Sequence, residues 1–364
     1  MNSNHNHSDK TPHYDVLLHG ETLRKVEGYA QYLVGGGAPG YYLREVLARE
    51  PIERLDEHAL IEALIQTKKP QIYAESEVRG DGSDWNAAEL SILGDISFAV
   101  PVSVFDNGLH TYPAIHDTPF AATLLYVPGA LLRNDRGGVP ADQDEVVSNG
   151  GINREAYYRL YERRLLPALL FANQQCERNN TRALITIPGL GCGQFAGRFK
   201  GQLGDLLAHT IGMLLQVHHS QLPFIDVVYY DPHRESGNAR RQIGHMNYLI
   251  RPLAQGNQDK PQLCRPPQYE EPGDDFSELS LFSLVAWDHV SWPGNDFYLG
   301  SRATDDGVKA AATSSMLSMT GIEGQYDAAR YGYAQPLEYD SWRDAIHKSG
   351  VRLSTKGRLS IFGR

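Results

Sequence analysis

The feature that most restricts the fold of this chain is an alternation of short apolar segments with longer amphipathic ones. The apolar segments are rich in aliphatic and β-branched residues and lack the polar alternation of a half-exposed strand, which is typical of strands buried on both faces. Helical patterns separate several of them, for example at residues 154–175 and 201–219. The predicted strands are residues 92–104, 121–132, 181–188, 224–231 and 279–288. This order predicts an α/β fold with helices on both faces of a mostly parallel sheet.

The chain of 364 residues divides into four predicted parts. Residues 1–13 are polar and predict a disordered tail. Residues 14–90 contain helical patterns separated by GGGAPG and by Pro51, and predict an added N-terminal helical extension. Residues 91–330 carry the strands and form the predicted core. Residues 331–364 are polar and mixed, and form a predicted C-terminal extension.

Composition argues against several classes of partner. The net charge of −10 disfavours a nucleic-acid backbone or an anionic membrane as the main partner. Three widely spaced cysteines fit neither a disulfide framework nor a zinc knuckle, and they favour a reducing compartment such as the cytoplasm. No run approaches eighteen apolar residues and the first residues contain no apolar stretch. We therefore expect a soluble protein without a secretory signal.

A glycine-rich loop follows the predicted strand 181–188, with four glycines between Gly189 and Gly197. Glycines let the backbone approach a ligand, and the loop N–H groups together with a helix N-terminus suit a diphosphate. The loop is not a Walker loop, because Arg198 and Phe199 stand where Lys and Ser or Thr would follow. Its GxGxG spacing also differs from the dinucleotide-binding fingerprint. A turn needed only for tight packing is the alternative.

The last predicted strand leads into a segment of unusual composition. Residues 286–297 read AWDHVSWPGNDF and hold two of the four tryptophans, and Asp305 and Asp306 follow shortly after. Ligands bind at the carboxyl ends of parallel strands, so this segment and the glycine loop are expected at the functional edge of the sheet. A helix N-cap at Asp305 and a magnesium site formed by the aspartates are the alternatives.

Residues 185–197, ITIPGLGCGQFAG, resemble the strand and second phosphate loop of macrodomains, which bind ADP-ribose. Residues 94–96, Gly-Asp-Ile, are similar to the GDI element of that family, and residues 126–135, YVPGALLRND, would supply the first phosphate loop. The family's asparagine and triple-glycine block is missing between these two elements. The resemblance implies a macrodomain-like three-layer fold with a mixed, mostly parallel sheet. It implies an adenine contact for Asp95.

The residues predicted to form the ADP-ribose site are Asp95, Ile96, Gly129, Ala130, Leu131, Gly189, Gly191, Cys192, Gly193, Gln194, Phe195, Ala196, Trp287, Asn295 and Phe297. Cys192 also invites a nucleophile interpretation, because a helix N-terminus lowers the pKa of a nearby thiol. A small packed thiol is the favoured interpretation.

Residues 286–297 together with 301–313, SRATDDGVKAAAT, resemble the acid-bearing segment of the family of the Legionella effector MavL, whose members are macrodomain-type hydrolases. They remove ADP-ribose from arginine. The resemblance covers roughly residues 94–320, and it implies catalytic roles for Asp288, Asp296 and Asp306, with Asp305 as the neighbouring candidate. It implies metal-free chemistry without a cofactor. It also implies an ADP-ribosylated protein as substrate, with arginine-modified ubiquitin as the candidate, and ADP-ribose as product.

Carboxylates suit this reaction. Cleavage of ADP-ribosyl-arginine breaks a C–N bond at the anomeric carbon through a transition state with oxocarbenium character, which a nearby carboxylate stabilises while it activates water. Carboxylates also bind the guanidinium group in a bidentate manner. Trp287, Trp292 and Phe297 could exclude water from the pocket. The rival prediction is a non-catalytic reader of ADP-ribose, which needs the glycine loop but has no use for three ordered aspartates.

Overall fold

The computed structural model of the chain describes residues 11–49, 55–355 and 358–363, and nearly all of the predicted disordered tail lies outside them. The strands are β1 (Asp15–His19), β2 (Ser97–Asp106), β3 (Ile115–Pro128), β4 (Val147–Ser148), β5 (Gly151–Ile152), β6 (Arg182–Pro188), β7 (Ile225–Asp231), β8 (Ala239–Ile243), β9 (Met246–Ile250), β10 (Leu279–Trp287), β11 (Gln325–Asp327), β12 (Gly332–Ala334) and β13 (Leu359–Phe362). The central sheet has nine strands in the order β13-β1-β2-β3-β10-β6-β7-β9-β8.

The sheet is mixed and mostly parallel, which confirms the predicted α/β fold. Strands β3, β10, β6, β7 and β9 run parallel to one another, whereas β2 and β8 run antiparallel to their neighbours. The carboxyl ends of β3, β6 and β10 therefore share one edge of the sheet. Because β2 is antiparallel to β3, with Phe98 opposite Tyr126, the start of β2 lies at that same edge.

Helices cover both faces of the sheet. The helices are α1 (Gly20–Val34), α2 (Tyr41–Leu47), α3 (Glu57–Thr67), α4 (Ala74–Glu77), α5 (Ala87–Leu93), α6 (Gln143–Val146), α7 (Arg154–Asn179), α8 (Leu203–His218), α9 (Asp305–Ala311), α10 (Ser315–Thr320) and α11 (Trp342–Ser349). Along β3, Leu124 and Tyr126 belong to a buried cluster with α1, α3, α5 and α10, while Leu125 and Val127 belong to a second cluster with α7 and α8. This alternation follows from the period of two residues in a strand.

The start of the first predicted strand is wrong. Residues 92 and 93 end helix α5, and strand β2 begins at Ser97. The helix is set locally by Asn86, whose side chain accepts from the Glu89 N–H while the Glu89 side chain accepts from the Asn86 N–H. Such a capping box stabilises a helix start that the β-branched composition of the following residues does not reveal.

Both ends of the described chain contribute to the central sheet. Strand β1, from the predicted N-terminal helical extension, lies between β2 and β13, and β13 pairs with it in parallel, with Val16 opposite Leu359. The division into core and extensions remains a prediction. Within the described residues, no helix has the length and apolar character needed to cross a membrane.

Candidate active site

The glycine loop and the first loop, residues 129–132, pack backbone to backbone at the carboxyl edge of the sheet. A Cβ on Gly129 would lie 2.3 Å from the Gly191 nitrogen, and a Cβ on Gly191, which has φ +71°, would lie 2.7 Å from the Ala130 nitrogen. Leu132 N–H donates to the Phe195 carbonyl at 2.8 Å. Glycine is therefore required on both sides of this contact, because any side chain would separate the two loops.

Tyr161 of α7 holds the two loops together from behind. Its hydroxyl accepts from the Ala130 N–H at 3.1 Å and donates to the Leu190 carbonyl at 2.6 Å. The ring is fully buried. One side chain therefore fixes the spacing between the two predicted phosphate loops, and periodicity gave no sign of this role because Tyr161 lies in the middle of a helix.

The outer part of the glycine loop is open. Gly193 and Gln194 are exposed and Phe195 is half-buried, whereas Ala196 is buried. Within the described part of the chain, the N–H groups of the exposed Gly193 and Gln194 form no hydrogen bond. Free loop N–H groups at the end of a parallel strand suit a phosphate.

Cys192 is buried beneath this loop, with its thiol 3.6 Å from the Leu190 carbonyl. Burial raises the pKa of the Cys192 thiol far above its usual range. A nucleophilic cysteine needs a populated thiolate. The environment therefore favours the packed thiol over the nucleophile.

Asp95 lies behind the loops and its carboxylate is fully engaged. Its oxygens accept from Lys25 at 2.6 Å, from Arg163 at 3.0 Å and from Arg164 at 3.1 Å. Burial tends to raise the pKa of Asp95, but the three cations outweigh burial and hold it well below its usual range. The adenine contact predicted for this carboxylate stays a prediction, and it would have to form beside these three ion pairs. The neighbouring Ile96 is completely buried.

A second buried carboxylate, Asp142, connects the first loop to the acidic segment. Its Oδ2 accepts from the Leu131 N–H at 2.7 Å and lies 3.2 Å from Nε2 of His289. Arg164 donates to Asp142 Oδ1 at 2.6 Å and to the Gly129 carbonyl at 3.0 Å. No local sequence pattern indicates this network, because its members come from separate parts of the chain.

Asp288 follows directly on β10. Its Oδ1 accepts from the N–H groups of Val290 and Ser291, both at 2.7 Å, so the carboxylate shapes the turn that carries it. The indole of Trp287 donates to the Ser291 hydroxyl at 3.0 Å. Asp288 is only 4% exposed.

Asp296 lies against the first turn of α9. Its Oδ2 accepts from the N–H groups of Ala303 at 2.9 Å and Thr304 at 3.2 Å. Its Oδ1 lies 2.5 Å from the Thr304 hydroxyl. The Asp296 oxygens are the acceptors in all of these hydrogen bonds, as expected for an ionised carboxylate at a helix N-terminus.

Asp306 lies on the other side of the same hydroxyl. Its Oδ1 is 2.6 Å from Thr304 Oγ1, and its Oδ2 is buried with no hydrogen-bond partner among the described residues. Burial raises the pKa of Asp306 well above its usual range, and the charge of Asp296 adds to the effect. Two carboxylates close together in a dry site do not both ionise easily.

The neighbouring Asp305 has a different environment. Its Oδ2 accepts from the Ala286 N–H at 2.8 Å and from Lys309 at 3.1 Å, so it fastens α9 to β10. The N-cap of α9 is Thr304, whose hydroxyl accepts from the Gly307 N–H, and not Asp305. The structure therefore brings Asp306, not Asp305, next to Asp296.

The remaining predicted ligand residues pack around the aspartates. The Asn295 side chain accepts from the Ile72 N–H at 3.0 Å, and Phe297 and Trp287 are buried in the core. Trp292 is also buried, and its indole donates to the Lys68 carbonyl at 3.2 Å. Across the described ranges, no three His, Cys, Asp or Glu side chains are arranged to hold a metal ion.

The chain has a mixed, mostly parallel sheet with a glycine loop and a buried acidic cluster, Asp288, Asp296 and Asp306, along one edge. This arrangement defines it as a macrodomain, a class associated with ADP-ribose. Residues 14–339 match the family described as macrodomain effector MavL, and the chain belongs to that family. A search of curated proteins found no match. Membership of this family gives the chain a macrodomain function related to ADP-ribose.

Proposed function

We propose that this protein is an ADP-ribosylhydrolase that cleaves the N-glycosidic bond between ADP-ribose and an arginine side chain of a modified protein. The observation that carries the proposal is the single hydroxyl of Thr304 between Asp296 and Asp306, at 2.5 and 2.6 Å. One hydroxyl hydrogen serves only one of these contacts, so a carboxyl must supply the other hydrogen.

Because burial raises the pKa of Asp306, we assign that proton to Asp306. Asp306 then donates to Thr304 Oγ1, which donates to Asp296 and also accepts from the Gly307 N–H. This arrangement uses the one donor and the two acceptor positions of the hydroxyl completely. A paired acid and base, in two different protonation states, is what hydrolysis of a glycosidic bond requires.

In the proposed reaction, Asp296 removes a proton from a water molecule while the oxygen of that water bonds to the anomeric carbon. The C–N bond breaks, its electron pair goes to the guanidine nitrogen, and Asp306 returns a proton to that nitrogen. The products are ADP-ribose and an unmodified arginine. Asp288 orients the ribose or the guanidinium, and the free N–H groups of the glycine loop bind the diphosphate.

The proposal is tested by measuring release of ADP-ribose from an arginine-ADP-ribosylated protein in the presence of EDTA. Wild type should release ADP-ribose, and Asp296→Asn and Asp306→Asn should each reduce kcat by ~10²–10⁴-fold, because each removes one half of the acid–base pair. Asp117→Asn is the matched control, since Asp117 is an exposed aspartate at the far end of β3.

Calorimetric binding of ADP-ribose separates the hydrolase from the reader. Micromolar binding by wild type and both site variants, without release by any of them, would overturn the hydrolase and leave an ADP-ribose reader. Activity that EDTA abolishes would indicate the magnesium alternative.

We further propose arginine-modified ubiquitin as the candidate substrate, as the family resemblance implies. The net charge of −10 is compatible with a basic arginine-bearing face. Comparing kcat/KM for modified ubiquitin, for another arginine-modified protein and for free ADP-ribosyl-arginine tests this. Equal values for all three would contradict a ubiquitin preference without affecting the assignment of the reaction.

A further inference from the structure

A segment from the N-terminal part of the chain lies along the acidic cluster. This strap, residues 68–79, follows α3 directly and includes α4. Lys69 N–H donates to the Val290 carbonyl at 2.8 Å, and Trp292 N–H donates to the Lys69 carbonyl at 2.7 Å, as in a short parallel pair of strands. The strap is therefore bonded to the loop that carries Asp288 through its backbone.

The strap also reaches the first-loop side of the site. The Glu75 carbonyl accepts from the Asp135 N–H at 2.7 Å. Burial raises the pKa of the Glu75 carboxyl, and the charge of Asp288 adds to it. Burial likewise raises the pKa of Tyr73, with contributions from the charges of Asp296 and Asp306. The Ile72 N–H donates to the side chain of Asn295, so the strap contacts residues next to Asp296 as well as next to Asp288.

Lys68, the first residue of the strap, places its ammonium inside the site. The residue is 3% exposed. Its Nζ lies 2.5 Å from the His289 carbonyl and 4.3 Å from the centroid of the Trp287 ring. Among the described residues, that carbonyl is its one hydrogen-bond acceptor. A cation over a tryptophan face is attracted by the ring, and more strongly in a dry site.

These contacts fall on the residues immediately before and after Asp288. We propose that Lys68 is a positioning residue for the hydrolysis. Its ammonium fixes the His289 carbonyl and the Trp287 ring. The Trp287 indole donates to the Ser291 hydroxyl, which donates to Asp288 Oδ2, so Lys68 acts on the Asp288 carboxylate through these two side chains. This inference rests on the proposed function. It deepens that function by giving the N-terminal part of the chain a role in the reaction.

The charge of Lys68 depends on pH. Burial lowers its pKa to about 7, and the charge of Asp288 partly opposes that shift. The ammonium is therefore present below pH 7 and is lost above it. The charged group that acts on Lys68 is Asp288, and the imidazole of the neighbouring His289 lies with its Nε2 3.2 Å from Asp142 Oδ2.

The test compares wild type with Lys68→Met and Lys68→Arg, measuring kcat and ADP-ribose affinity from pH 6 to 9. Lys69→Met is the matched control, because Lys69 is the adjacent lysine and its ammonium lies over the Tyr42 ring, 3.8 Å from the centroid. Wild type and Lys69→Met should lose kcat above pH 7. Lys68→Met should be ~10²-fold slower and flat across this range, with an unchanged Kd for ADP-ribose.

Lys68→Arg keeps its charge at all these pH values. Its kcat above pH 8 should therefore be close to its kcat at pH 6. Tryptophan emission gives a readout independent of turnover. The emission of wild type should change near pH 7, and the emission of Lys68→Met should show no such change.

A Lys68→Met variant with the wild-type kcat and pH profile would overturn the positioning role alone. Absence of turnover by wild type would overturn the proposed function together with this inference. If Lys68→Met does not fold, Lys68→Arg decides, since an unchanged alkaline loss of activity in that variant contradicts the inference.

Discussion

Gly307 and Asp296 lie so close together that a Cβ added to Gly307 would be 1.7 Å from Asp296 Oδ1. Gly307 occupies the first turn of α9, directly after Asp306. The Asp296 carboxylate therefore occupies the space that any side chain at position 307 would need. The glycine in the TDDG sequence is set by this contact and not by a left-handed backbone conformation.

Gly307→Ala should displace the Asp296 carboxylate from Thr304. We expect kcat for ADP-ribose release to fall by ~10²-fold, because a displacement of about 1 Å in a catalytic group has that effect. Stability should fall by about 1–3 kcal/mol through overpacking. Gly28→Ala in α1 is the control, because its Cβ would meet no atom within 4 Å and helix propensity predicts a gain of about 0.5–1 kcal/mol. Equal kinetics for both variants would contradict the packing argument.

Asp306→Asn should stabilise the protein while it removes activity. The pKa of Asp306 is raised in the folded protein, so above pH 4 the unfolded chain binds fewer protons at this residue than the folded protein does. Folding therefore becomes less favourable as the pH rises. The amide has no such penalty. We expect the Tm difference to be near zero at pH 4 and to reach about 1–4 °C in favour of the variant at pH 7–8. Calorimetric melting across this pH range checks it, and a destabilised variant at pH 8 would contradict a neutral Asp306.

Tyr161→Phe should weaken ADP-ribose binding by removing the hydroxyl that joins the two loops. Loss of two buried hydrogen bonds predicts a Kd about 5–10-fold higher and a stability loss of about 1–3 kcal/mol. Tyr248→Phe is the matched control, since its hydroxyl donates to the Ala208 carbonyl in α8 at 2.8 Å, away from both loops. That variant should lose stability and bind ADP-ribose as wild type does. Parallel effects on binding would show that the Tyr161 contact is only structural.

Asp142→Asn should destabilise the protein by about 3–5 kcal/mol, since it leaves the buried Arg164 without its closest carboxylate. Burial tends to raise the pKa of Asp142, but the charges of Arg164 and His289 hold it well below its usual range. Its stabilisation is therefore present above pH 4 and is lost as pH falls below that value. Urea unfolding should show the gap between wild type and variant narrowing toward acid pH. Asp226→Asn, which breaks the partly exposed pair with Arg182, should change stability by less than about 1 kcal/mol.

The sequence predicts the parts of the site that are local. The apolar strands indicate the parallel sheet, and the spacing of Asp288, Asp296 and Asp306 identifies an acidic group that the fold brings to one sheet edge. Gly189 and Gly191 mark a loop whose backbone must approach something closely. The strands and the glycine loop are indicated by signals that lie within a few residues, whereas the roles of the three aspartates were predicted from the family resemblance.

The residues that hold the site in place could not be predicted, because each acts over a long separation in sequence. Lys68 contacts a carbonyl 221 residues away, and Asp142 meets His289 across 147 residues. A buried lysine or aspartate has no recognisable pattern of its own; its partner is supplied by the tertiary fold. Asp95 shows the reverse, since its GDI motif was recognisable while its ion pairs with Arg163 and Arg164 were not.

Strand β13 covers the outer side of β1, although it lies twenty residues beyond the last residue that matches the family, Tyr339. A fragment ending at that boundary would leave β1 paired with β2 alone, so β1 would replace β13 as the edge strand, although its residues Val16, Leu17 and Leu18 are completely buried. Such an open edge is a template for pairing between molecules. We therefore expect a shortened version to aggregate more readily than the 364-residue chain, even with every residue of the acidic site intact, because its edge would be an apolar strand.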